Sequence, residues 1–360
     1  MTIEWLAGNR LRGTTAERPN FGLPSGSVGG WVELGRTTLG ATADTLSVSV
    51  ADKRYYMILA DQKASGNTNH GFRLNADTGS NYAQRASADG GTDNTATSNS
   101  ALLGNWGSAV TTNAFHIGYI ANISTKEKLA QIWNVQQKTA GAGTAPSRQE
   151  GVGKHAQTTN PISAISLTNT DSGDYTSGTE LVVLGWDPAD THTTNFWEEL
   201  ASVTLGTDGD VLSSGTITAK KYLWVQAFIK NSGDTARFNT KITFNNDTSG
   251  NYAMRRSFDG GADSTSTSAN DLFSSGVTGS NDDLWCINMF IVNNSANEKL
   301  CIAHGFDTYI GSGAGFAPSQ RYEAVGKWAN TSSQITEIDI TNTDTSNYDA
   351  ISELRVWGAD

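Results

Sequence analysis

The sequence predicts an all-β protein: two tandem, homologous antiparallel β-sandwich domains of jelly-roll type, preceded by an extended N-terminal arm. Three observations predict it. Apolar residues alternate with polar ones at period two through much of the chain, the signature of strands with one buried face. Gly, Ser, Thr, Asn and Asp fill the remaining positions, a mixture that favours short strands and turns over helices. The chain also repeats itself. Asn81-Tyr82-Ala83 returns as Asn251-Tyr252-Ala253, and Asp89-Gly90-Gly91 as Asp259-Gly260-Gly261. A spacing of about 170 residues exceeds the 20–50 or so of a solenoid unit and fits whole domains.

Taken in order, residues 1–30 stand outside the repeat and show neither strand nor helix periodicity. They read as an extended arm. One reading is a disordered leader. The other is a docking arm on a neighbouring subunit, with Trp5, Arg10, Arg12 and Arg18 as contact residues, because Trp and Arg are favoured at interface hot spots. Residues 31–186 form the first sandwich, 187–196 a linker and 197–360 the second sandwich. In the first, Phe72 and Leu74, Ile165 and Leu167, and Leu181 and Val183 alternate with polar neighbours. In the second, Phe238, Ile242 and Phe244, then Ile338 and Ile340, then Leu354 and Val356 do the same. Two runs, Tyr222-Leu223-Trp224-Val225 and 285–292, are apolar on both faces and predict central strands covered on both sides. One-faced strands bury that face in a sandwich of two sheets.

A net charge of −11 and the lack of any Lys/Arg cluster argue against nucleic acid and against an anionic membrane surface. The start, Met1-Thr2-Ile3-Glu4-Trp5, lacks the basic and apolar segments of a signal peptide. Cys286 and Cys301 align with Phe115 and Ala130, so the fold does not need them. They read as buried thiols, with a disulfide left open.

The most repeated loop carries Asp77, Asn81, Arg85, Asp89 and Asp93, matched by Asp247, Asn251, Arg255, Asp259 and Asp263. Asp and Asn bond to their own backbone in turns, the Gly-Gly pair permits positive φ, and the arginines pair with loop carboxylates. The alternative is calcium, held by Asp77, Asp89, Asp93, Asp247, Asp259 and Asp263, since that ion takes six to eight oxygens. The spacing is not that of an EF-hand. No other cofactor is expected. Gly151-Val152-Gly153-Lys154 lacks the spacing of a phosphate loop. None of the five histidines recurs at its counterpart position, and no zinc, G-x-S-x-G or C-x-x-C pattern occurs. Glu33, Glu127, Glu150 and Glu180 recur as Glu199, Glu298, Glu323 and Glu353, the raw material of a carboxylate pair with nothing to mark one. No catalytic residue is assigned, and the chain reads as non-enzymatic. Of the ten tryptophans, most are expected in cores or at contacts between the sandwiches.

Several of these stretches resemble β-sandwich modules in virion proteins of tailed phages, particularly marine ones. They are Lys221-Tyr222-Leu223-Trp224-Val225, the F/L-N-x-D-T-x-x-N-Y pattern at 74–82 and 244–252, the strand Ser177 to Gly185, and the opening Gly8-Asn9-Arg10-Leu11-Arg12-Gly13. The likeness spans most of both sandwiches but consists of strand and turn signatures. It implies a structural protein at the virion surface: capsid decoration, a head fibre, or a tail fibre or other tail-associated part. The implied partners are capsid or tail proteins of the same particle and further copies of this chain. The alternative is a carbohydrate-binding, host-attachment module that takes a host surface glycan. No nucleic-acid or membrane partner is expected.

Overall fold

The computed structural model describes residues 30–102, 112–187, 195–233, 238–277, 284–308 and 320–360. Within them every regular element is a β-strand. The first half contributes β1 (Val32–Thr38), β2 (Thr45–Ser49), β3 (Tyr55–Gln62), β4 (His70–Leu74), β5 (Tyr82–Ala88), β6 (Asn94–Asn99), β7 (Ala114–Ala121), β8 (Lys128–Gln136), β9 (Ser147–His155), β10 (Ala164–Asn169) and β11 (Glu180–Trp186). The second contributes β12 (Glu198–Thr204), β13 (Val211–Ser213), β14 (Tyr222–Lys230), β15 (Phe238–Phe244), β16 (Tyr252–Phe258), β17 (Ser264–Ala269), β18 (Leu272–Val277), β19 (Leu284–Val292), β20 (Lys299–Thr308), β21 (Gln320–Trp328), β22 (Ile338–Asn342) and β23 (Glu353–Ala359).

Each half pairs a large antiparallel sheet with a small one. The large sheets run β1-β11-β3-β7-β8-β9-β5-β6 and β12-β23-β14-β19-β20-β21-β16-β17, the same order taken strand by strand. The small sheets run β2-β10-β4 and β13-β22-β15-β18. The chain crosses between large and small sheet at each step from β1 to β5 and again from β9 to β11, as in a jelly roll, though the sheets are unequal. The alternation in sequence follows from this. Ile58 and Ala60 of β3 face inward onto Leu46 and Val48, Phe72 and Leu74, and Ile165 and Leu167 of the small sheet, all buried. Each such aliphatic burial stabilises by roughly 1.5–3 kcal/mol.

A third core lies between the halves. Met57, Leu59, Phe115, Ile117, Val135, Val182 and Leu184, on the outer face of the first large sheet, pack against the second. There they meet Trp197, Tyr222, Trp224, Phe290, Leu300, Ile302, Val325 and Trp357. The two large sheets therefore stack back to back, giving four layers: small, large, large, small. This is why the runs at 222–225 and 285–292 are apolar on both faces.

The repeated loop resolves into local rules. The amide of Gly91 donates to the carbonyl of Ala88, and that of Gly261 to Phe258. The residues between have φ of 52° and 72° at Asp89 and Gly90, and 53° and 72° at Asp259 and Gly260. These are the paired positive values of a type I′ hairpin turn. Positive φ thus falls on Asp-Gly, one position earlier than the Gly-Gly pair expected from sequence. Tyr82 and Tyr252 lock the crossing between sheets: each hydroxyl accepts from the amide of Leu74 (3.0 Å) or Phe244 (2.9 Å) in the small sheet. Both cysteines are free, Cys301 in the core and Cys286 on the outer face.

Candidate functional site

The six aspartates proposed for calcium sit in four different surroundings. Asp77 accepts from the Gly79 amide (2.8 Å) and the Asn81 side chain (2.8 Å), and lies 2.8 Å from Nε2 of His155. Asp247 accepts from the Ser249 amide (3.0 Å), Asn251 (2.8 Å) and Nε1 of Trp328 (2.7 Å). Burial pushes both carboxyls up, but these hydrogen bonds outweigh it. Asp77 ends below its usual value and Asp247 is brought down to about 2. Asp89 accepts from the hydroxyl of Ser147 (2.7 Å) and the amide of Arg148 (2.8 Å), and Asp259 from the amide of Arg321 (2.8 Å). Asp93 pairs with Arg85 at 3.6 Å on the open surface. Asp263 is buried against Arg148. Among the described residues no group of three or more His, Cys, Asp or Glu is placed to hold a metal. The proposed docking residues Trp5, Arg10, Arg12 and Arg18 lie outside the described residues.

One recurring glutamate pair does converge, at the seam between the halves. Arg148 is buried, with Nη1 at 2.9 Å from Glu150 and 3.1 Å from Glu323, and Nη2 at 2.8 Å from Asp263. Arg255 adds bonds to Asp89 (3.2 Å) and to the carbonyl of Pro146 (3.0 Å). Burial opposes the Arg148 charge, but the surrounding carboxylates hold its proton more firmly than usual. Burial, with Glu323 nearby, pushes Glu150 up. Here Arg148 bridges the two glutamates and Asp263 across the seam, so the arrangement is a bolt between sheets. Sequence reading paired the arginines with carboxylates of their own loop. Both keep such a partner, Arg85 with Asp93 at 3.6 Å and Arg255 with Asp263 at 3.8 Å, and Arg255 also reaches into the other half. Of the other recurring glutamates, Glu33 and Glu180 share Arg36, at 2.6 and 3.8 Å, and Glu180 also binds Lys221, while Glu127 binds Lys154, Glu298 faces Lys327 and Glu353 binds Arg355.

His70 and His116 are likewise absorbed by the fold. His116 is buried between Gln62 (2.9 Å) and Asn134 (2.9 Å), with the ring of His70 at 4.3 Å. Burial lowers both, His70 to about 4, so both rings are neutral.

An open groove of about 890 Å³ lies on the outer face of the first large sheet, beyond the end that the second half covers. Trp31, Tyr55, Tyr119 and Trp186 form its aromatic wall, with the Tyr55 and Trp186 rings stacked at 5.3 Å. Leu129 and Val152 lie in its floor at 58% and 50% exposure, unusual for aliphatic side chains in strands. Arg85, Gln131 and Lys154 supply polar groups along it. Sequence reading did not single out this site. The signal was there in part: Leu129 and Val152 belong to the recurring Lys-Leu and Val-Gly-Lys motifs and fall on the face opposite the core residues Ala130 and Ile132.

No family model matches the chain, and no curated protein matches it. Among solved structures it is similar to the mouse laminin α1 chain, domains LG4-5, at 8% identity. That match covers 90% of this chain and 89% of that one with a TM-score of 0.16. It is also similar to Neisserial surface protein A at 8% identity, covering 81% and 99%, with a TM-score of 0.10. Likenesses this slight bear on neither fold nor function.

Proposed function

We propose that the chain is a non-enzymatic structural protein of a virion surface, decorating or stabilising a capsid or forming part of a head or tail fibre. The observation that carries this reading is the back-to-back stack of the two large sheets. It ties buried charges such as Arg148 and Asp263 into bolts between the large sheets, and it leaves an apolar, aromatic half-face open. Arg148, Glu150, Glu323 and Asp263 hold sheets together, while the groove offers contact area of the kind enriched at protein interfaces. The resemblance of the strand and turn motifs to tailed-phage virion modules supports the same reading. Quantitative mass spectrometry of purified particles from the source tests it. A copy number at a simple fraction of the major capsid protein is expected for a lattice part, and a few copies per particle for a fibre. Absence from the particles overturns the proposal.

A second reading, binding of a host surface glycan, is favoured by the aromatic wall of Trp31, Tyr55 and Trp186 beside Arg85 and Gln131, since sugars stack on aromatic faces and bond to such rims. A glycan array that stays blank with and without calcium removes it.

A further inference from the structure

We infer that the groove is one face of a head-to-tail contact between copies of this chain, and that its occupant is the open end of the second large sheet of another copy. The inference rests on the structural reading above and deepens it.

The argument starts from register. Leu129 pairs with Lys154 across β8 and β9, and Leu300 pairs with Lys327 across β20 and β21. The two large sheets thus have matching positions, and each outer face has two ends. In the second sheet the end carrying Tyr222, Phe290, Leu300 and Val325 is buried, each residue at 4% exposure or less. Its counterparts in the first sheet are Tyr55, Tyr119, Leu129 and Val152, and these line the open groove. Charge follows the same pattern. Lys154 and Glu127 form an exposed pair at 3.0 Å. Lys327 and Glu298 form its counterpart, fully buried, with Lys327 Nζ donating to the carbonyls of Gln137 and Thr139 in the first half.

The opposite ends behave in reverse. In the first sheet Leu59, Ile117, Val135 and Val182 are covered by the second half. Their counterparts are Gln226, Asn288, Phe306 and Arg355. The first, second and fourth are half-buried, and Phe306 is 51% exposed.

The contact inside one chain therefore joins unlike ends: the Leu59 end of one sheet to the Leu300 end of the other. One unlike pair is left over, the groove on the first sheet and the Phe306 end on the second. A contact between unlike surfaces leaves one free surface on each partner, so such contacts propagate, into a ring where the rotation closes and a filament where it does not. A second copy can satisfy the leftover pair with the same kind of sheet-on-sheet packing. Gln226, Asn288 and Arg355 keep the free end soluble, as in interfaces whose partners also exist apart.

Sedimentation velocity of the full chain over a wide concentration range tests this, with Leu129→Glu in the groove and Phe306→Glu on the opposite end. Both sites are exposed, so neither substitution disturbs a core. The wild-type chain is expected to associate, and each variant alone to weaken that association about tenfold or more. An equimolar mixture of the two variants retains one intact pair of surfaces. It should give a complex of two chains and nothing larger, which also shows that both variants fold. A wild-type chain that stays monomeric throughout overturns the inference while leaving the particle-composition test of the structural role untouched. Association of Phe306→Glu at wild-type strength overturns it too, because groove-to-groove pairing would give that result. So does a mixture that fails to form the two-chain complex.

Discussion

The pair His155 and Trp328 shows how two unlike side chains can do one job. They occupy matching positions, ending β9 and β21, and each directs a ring N–H at the aspartate of the sheet-crossing turn, Asp77 or Asp247. Each also stacks on the tyrosine of that crossing, Tyr82 or Tyr252. Sequence comparison scores the position as unrelated, because it compares identities while the turn needs only a flat ring with a donor at its edge. The turn aspartates, their Asn partners and the tyrosines were legible, since they recur and obey local rules. Replacing Trp328 by Phe keeps the ring and removes the donor. It should cost about 1–3 kcal/mol in urea unfolding, because the Asp247 carboxylate loses the ring donor and keeps only its bonds within the turn. The depressed Asp247 gives a pH dependence of known sign. Its folded value of about 2 lies below its ordinary 3.8. The stabilisation it supplies is therefore complete above about pH 4 and is lost as pH falls toward 2. Unfolding free energies measured over that window should decline less steeply in Asp247→Asn than in the wild-type chain.

At the scale of elements, strand existence was legible from alternation, but the pairing of strands was not. Nothing in a period-two pattern says that β8 lies beside β9 or that β1 lies beside β11, because those choices are made by contacts distant in sequence. The groove was only partly legible for the same reason. A strand apolar on both faces announces a covering layer, and only the assembled sheet reveals that the layer stops halfway. Close approach between strands sets one further expectation. A Cβ at Gly305 in β20 would lie 2.1 Å from the ring of Tyr322 in β21, itself wedged in the core. Gly305→Ala should thus cost about 1–3 kcal/mol, seen as a lower melting temperature by calorimetry, with the fold retained by circular dichroism. The matching lysines Lys128 and Lys299 behave alike: Lys128 Nζ donates to three carbonyls, of Ile123, Lys126 and Gln157, and Lys299 Nζ to those of Asn297 and Asn330. Lys128→Met fills the space but leaves those oxygens unpaired, and should lower stability by about 1–3 kcal/mol.

Over the whole molecule, the seam makes the two halves depend on each other. Arg148 belongs to the first half, while two of its carboxylate partners, Asp263 and Glu323, belong to the second. Removing it leaves Asp263, only 1% exposed at its side chain, with the more distant Arg255 at 3.8 Å as its remaining cation. Arg148→Ala should destabilise by about 3 kcal/mol or more and split calorimetric unfolding into two steps, one per half. A single sharp transition at the wild-type temperature would contradict the role given to this bolt. The closing strands of each half carry a consequence for how the chain reaches this state. β11 inserts between β1 and β3, and β23 between β12 and β14, so each large sheet waits for its last strand before its second position is filled and its first strand is joined to the rest. Such closure joins segments far apart in sequence, which slows folding because the entropy of a long loop is lost before any contact is gained. Until then β3 and β14 present bare apolar edges. Refolding at high protein concentration should therefore be a race between that late insertion and capture of the same edge by another molecule.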